Sequence, residues 1–207
     1  MPTLPSTGIA MLLAFAAAGA GTAPVLAQVA PSQAAVPDVH FISGMIVHHA
    51  QAVLMARWAP THGASPALRE LCERITISQR DEIATMERWL NERHLPLPDT
   101  STAGGGAMAG MAGMGGGGMM MPGMLSPAQL AQLDSARGPA FDRAFLTFMI
   151  QHHQGALTMV AQYMNAPSAD EDPFVFQFAS DVNGDQTAEI DRMGRMLAAM
   201  PPAPRSQ

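Results

Sequence analysis

Apolar residues recur at steps of four and three along four stretches of the chain, the spacing that lines one face of an α-helix. The first stripe is Phe41, Met45, His48, Ala52 and Met55. The second runs from about Pro66 to Glu92 and carries Leu68, Cys72, Ile75, Gln79, Glu82, Met86 and Trp89. Phe145, Met149, His152, Ala156 and Met159 make the third, and Ala179, Val182, Gln186, Glu189, Met193 and Met196 the fourth. Pro37-Asp38 marks a helix start with Asp38 as N-cap, while Pro60, Gly63 and Pro66 separate the first two helices. Asn183-Gly184 interrupts the fourth pattern and leaves the N-terminal half of that helix open. A shorter piece, PAQLAQLDSAR, starts after Ser126 and is closed by Gly138-Pro139; it is expected to brace the outside of the fold.

The pattern is written twice. Asp38-x-x-Phe41-x-x-x-Met45-Ile46-x-His48-His49-x-x-Ala52-x-x-Met55 returns as Asp142-x-x-Phe145-x-x-x-Met149-Ile150-x-His152-His153-x-x-Ala156-x-x-Met159. Gln79-x-x-Glu82-Ile83-x-x-Met86 returns as Gln186-x-x-Glu189-Ile190-x-x-Met193, after a slightly longer loop. Each half is therefore a helix, a loop and a helix. Neither amphipathic hairpin can bury its stripes alone, so the expected fold is all-α, a four-helix bundle of two repeated hairpins. The hairpins span residues 38–96 and 140–200, with a Gly/Met-rich linker over 97–124, the bracing helix over 125–139 and a tail over 201–207.

Each stripe also contains residues that a core disfavours. An unpaired buried amide or hydroxyl costs about 1–3 kcal/mol, and an unpaired charge more. His48 with Gln79 and Glu82, and His152 with Gln186 and Glu189, could satisfy one another by hydrogen bonding alone. Their recurrence at matching depths in both halves favours a metal site instead. The candidate ligands are Met45, His48, His49, Glu82 and Met86, with Met149, His152, His153, Glu189 and Met193 as their counterparts. Met45 lies three residues before His48 and four before His49, on one side of a helix turn. Adjacent histidines stand about 100° apart around a helix. The first of each pair is therefore expected to face the bundle axis, and the second to point along the groove between helices. Ala52 and Ala156 leave room one turn further on.

Thioether sulfur is soft and imidazole intermediate, a mixture that suits Cu(I) and, by the same chemistry, Ag(I). Zinc does not use methionine. No Glu is followed by His three residues later, so the di-iron pattern of carboxylate bundles is missing. Triad, P-loop and dinucleotide fingerprints are absent too, and the chain does not read as an enzyme.

The tract from Gly104 to Met124 has too much glycine to hold a helix and reads as disordered. Its Met108, Met111, Met114, Met119, Met120, Met121 and Met124, together with Met55 and Met159 on the stripes, are further thioether candidates able to capture a soft ion. Net charge is −6, and no cluster of Lys or Arg offers a path for a phosphate backbone, which argues against nucleic acid. Residues 1–27 are apolar, uncharged and end in Val25-Leu26-Ala27, the pattern of a secretory signal peptide; they lack a basic start, so an uncleaved membrane anchor stays open. A flexible segment over 28–37 follows. Cys72 has no partner for an intramolecular disulfide and reads as a small buried hydrophobe. His40, His62 and His94 fall at helix ends or in loops and are expected to be solvated, with His40 available to a surface site.

The stretch GPAFDRAFLTFMIQHHQGALTMV, and the Gln-x-x-Glu-Ile-x-x-Met after each loop, resemble the bacterial domain-of-unknown-function family 305. The resemblance implies a ferritin-like four-helix fold, export to a periplasmic or extracellular location and an association with copper handling. It brings no reaction with it. The family motif falls on Met45, His48, His49, Met55, Gln79, Glu82 and Met86 and on their second-half counterparts. The reading that results is an exported protein that sequesters or passes on copper as Cu(I), with other envelope copper-handling proteins as possible partners and self-association left open. A metal-dependent oxidoreductase and a metal-free helical interaction module are the alternatives.

Overall fold

In the computed structural model, residues 36–104, 120–167 and 172–202 are described. The expected leader, Met108, Met111, Met114 and Met119 lie outside them. The described residues hold five α-helices and no strand: α1 Val36–Ala56, α2 Pro66–Glu92, α3 Pro127–Ser135, α4 Pro139–Met164 and α5 Pro173–Ala199, with a 3-10 turn at Thr100–Gly104.

Helix starts follow their local chemistry. The Ser65 hydroxyl accepts from Leu68 N and Pro66 follows it; Ser126 and Gln129 form a reciprocal capping box ahead of α3; Asp172 caps α5. Asp38 is not the N-cap of α1, which already begins at Val36. It is fully buried inside the first turn, where Tyr163 at the end of α4 donates to it at 2.8 Å. Its counterpart Asp142 sits in the first turn of α4 and accepts from Ser65 N. Asp38 thus ties the start of α1 to the end of α4, which it meets antiparallel, while Asp142 ties the start of α4 to the start of α2. The Asn183-Gly184 interruption does not break α5, which is continuous. Gly184 faces open space, so the helix bears its propensity cost without a clash.

α1 packs on α2, α4 on α5, and α1 against α4. Arg93 and the Trp89 indole both donate to Asp172, joining the end of α2 to the start of α5. The core falls into two apolar clusters. One gathers Ala52 and Met55 of α1, Leu68 to Ile75 of α2, Phe141 to Met149 of α4 and Met193 of α5, with Leu130 and Leu133 of α3 packed into it. The other gathers Phe41 to Ile46, Met86 to Leu90, Ala156 to Tyr163 and Val175 to Val182. Helix α1 is long and apolar enough to cross a membrane by composition, yet most of it is buried within this bundle.

Two expectations need correction. The linker is not structureless at its ends. Gln51 of α1 donates to Ala103 O and Leu125 O and accepts from Leu125 N at 2.7 Å, holding both ends of the linker on the bundle. Residues 121–125 form a strap across α4, turning at Gly123 with φ +74°. A Cβ on Gly155 would lie 2.1 Å from Pro122 O and 2.5 Å from Gly123 Cα, so only glycine lets the strap pass. His62 is buried rather than solvated, ringed by Trp58 and Phe141, with Nε2 3.0 Å from Asp134 Oδ1.

Candidate metal centre

Between the two apolar clusters every long helix contributes polar side chains. They are His48 and His49 from α1, Gln79 and Glu82 from α2, His152 and His153 from α4, and Gln186 and Glu189 from α5. The four histidines are each 0–1% exposed, so all of them lie in the interior. The first of each pair meets the other half: the His48 and His152 rings face each other with centroids 3.8 Å apart and planes tilted by 36°. The second of each pair turns to the partner helix of its own hairpin. His49 Nε2 lies 2.5 Å from Glu82 Oε2, and His153 Nε2 lies 2.5 Å from Glu189 Oε2. Glu82 and Glu189 therefore sit where they orient imidazoles, away from the facing His48–His152 pair.

These contacts decide which ring nitrogens are left over. Pro122 O can only accept, so His48 Nε2–H donates to it at 3.0 Å and the Nδ1 lone pair is free. A carboxylate likewise holds the Nε2–H of His49 and of His153. Among the described residues no hydrogen bond of good geometry reaches Nδ1 of His48, His49 or His153, or either nitrogen of His152, whose ring has only a weak polar contact with the His48 backbone.

Burial, followed by the neighbouring His49, lowers the His48 pKa to about 3 despite the Pro122 hydrogen bond. Burial and the facing His48 push His152 well below the ordinary histidine value. Both central rings are thus neutral, the form that ligates metal. At Glu82 burial raises the pKa, but the hydrogen bond and charge contact with His49 and the Ser78 hydroxyl outweigh it, and the carboxyl lies below its usual value.

The methionines flank this layer. Met45, Met86 and Met159, from three different helices, belong to one apolar cluster; Met149, Met193 and Met55 belong to the other. The repeat relates the two trios member by member. Within the strap Met124 is buried and Met121 half-buried, while Met120 just before it is exposed. Among the described residues no three His, Cys, Asp or Glu side chains converge as a metal-binding group. A site with more than two ligands here would draw on these thioethers. Cys72 is buried in the apolar cluster, its thiol pushed up to about 12 by burial and then by Asp142, and takes no part in the layer.

Sequence reasoning missed Gln51, Pro122 and the Gly155 passage. The visible signal was the break in the repeat, since Gln51 and Gly155 occupy the same motif position yet share no chemistry.

The domain-of-unknown-function family DUF305 matches residues 38–197, and the chain belongs to it. Protein L153 of Acanthamoeba polyphaga mimivirus is 38% identical over 64 residues, 31% of this chain and 42% of L153, so the chain spans about two fifths of that relative's length. A DUF305 protein of Streptomyces coelicolor described as secreted has a similar structure, with TM-score 0.64 and 26% identity over 78% of this chain and 92% of the other. CopM in its Cu(II)-bound form is similar at TM-score 0.59 and 30% identity, over 78% of this chain and 95% of CopM. CopM structures with Cu(I) and with Ag show the same likeness. None of these likenesses indicates a catalysed reaction.

Proposed function

We propose that this chain is an exported copper-binding protein that holds Cu(I), or Ag(I) in its place, within the polar layer and acts by sequestration or transfer. The observation that carries this reading is the set of buried imidazoles with free ring nitrogens, the central His48 and His152 neutral among them, placed between two trios of buried thioethers. Hydrogen bonding alone leaves those nitrogens unpaired, at a cost that a core built only for packing would avoid. The free nitrogens of His48 and His152, joined by those of His49 and His153, and neighbouring thioethers would supply the ligands. Glu82 and Glu189 would fix the rings of His49 and His153, the arrangement that carboxylates commonly take behind metal-bound histidine. Thioether donors favour Cu(I) over Cu(II). The likeness to copper- and silver-bound CopM supports the metal, and the likeness to a secreted family member supports a location outside the cytoplasm.

The test is competition for Cu(I) against a chromophoric chelator under anaerobic conditions. Wild-type chain should withdraw the ion, and His48→Ala with His152→Ala should lose most of that capacity. Equal competition by the double variant would overturn the central site. Electron paramagnetic resonance of the loaded protein reads the oxidation state, Cu(I) being silent.

A further inference from the structure

We propose a second soft-metal site at the bundle surface, formed by His40, Met121 and Met159, where the ion is held in exchange with solvent. It deepens the reading above by giving that metal a place of arrival separate from the polar layer.

A cavity of about 360 Å³ opens between the start of α1, the end of α4 and the strap. His40, Met121 and Met159 all line it, together with Gly44. The two methionines come from distant parts of the chain and converge: a Cβ on Gly44 would stand 3.3 Å from Met159 Cε and 3.4 Å from Met121 Sδ. His40 lies one turn before Gly44 on the same helix face. It is exposed and Met121 half-exposed, while Met159 is buried at 8%. Two thioethers and an imidazole around one cavity are a three-donor set for Cu(I) or Ag(I), and the lack of carboxylate among the lining residues disfavours harder ions.

The repeat supplies an internal control. The matching position to His40 is Ala144 and that to Gly44 is Phe148. Both line a cavity of about 640 Å³ at the other end, which has one methionine, Met200, and no histidine. The donor set is therefore no by-product of the bundle frame. A glycine inside a helix is disfavoured relative to alanine. Here it keeps open the space in which the two thioethers meet.

The experiment counts Cu(I) equivalents and their affinities on the full chain by anaerobic chelator competition, repeated with Ag(I) by calorimetry. Met121→Leu, which changes only the thioether that lies outside the two central trios, preserves volume closely and should lose one equivalent while the His48/His152 site stays filled. His40→Gln, an exposed change that leaves packing intact, should weaken the same equivalent by about tenfold. Gly44→Phe should abolish it with all three donors still present. If Met121→Leu and His40→Gln both keep wild-type stoichiometry and affinity, the surface site is overturned and the central one stands. If those variants lose an equivalent but His48→Ala with His152→Ala does not, the surface site stands and the central reading falls.

Discussion

The two halves of the bundle share the His-His, Gln and Glu positions of the polar layer, yet they differ where the linker touches them. In the first half Gln51 grips both ends of the linker by three hydrogen bonds. In the second half the same motif position is Gly155, which receives the strap by having no side chain at all. His48 holds Pro122 O, whereas its counterpart His152 makes no hydrogen bond of good geometry among the described residues. Symmetry is kept where four helices must supply one layer. It is given up where a single linker can lie on only one side of each inner helix. A duplicated motif therefore reports the shared chemistry through its matches and the unique contacts through its mismatches.

Substitutions at the mismatched positions break the comparison most strongly. Gly155→Ala should destabilise by about 3 kcal/mol, the upper end for overpacking, because the atoms it meets are backbone. Gln51→Ala should cost about 1–3 kcal/mol by leaving buried backbone groups of Ala103 and Leu125 unpaired. Urea denaturation measures both. A Gly155→Ala protein as stable as wild type would show that the strap can lift away freely.

The shared layer should respond alike in both halves. Glu82→Gln and Glu189→Gln should each weaken Cu(I) binding about 10-fold, the lower end for a group that orients a metal-bound histidine. A much larger loss at one of them would identify that carboxylate as a direct ligand. The central rings also set an acid limit on the metal-free protein. Their folded pKa values are depressed, so below the ordinary value of 6.5 the unfolded chain takes up protons that the folded chain refuses. Thermal stability should be fully present above that pH and fall as the pH drops from 6.5 toward 3. His48→Gln with His152→Gln should flatten that decline. The smallest effect falls outside the layer: Gly184→Ala, in open space within α5, should stabilise by roughly 0.5–1 kcal/mol.

Much of this fold was legible in the sequence because helical periodicity is a local property. The stripes placed all four long helices, and His48 and His152 could be assigned to the interior from spacing alone. The strap was not legible. Glycine and methionine content marks a segment without its own periodicity, but Met121 to Leu125 are ordered by partners far away in the chain, Gln51, His48 and Gly155. Asp38 was misplaced for a similar reason. A carboxylate at a helix start resembles a cap until Tyr163, from the opposite end of α4, claims it. Asn183-Gly184 misled in the other direction, since neighbouring turns carried α5 through a weak local preference.

The strap has a consequence for how the layer communicates with its surroundings. One wall of the layer is closed by Pro122 and Gly123 beside the thioethers of Met121 and Met159. The wall between α2 and α5 instead opens on Ser78, Asp81, Glu82, Asp181 and Asp185. The molecule therefore has a front and a back of opposite chemical character, one sulfur-rich and one acidic, with the same four histidines lying between them.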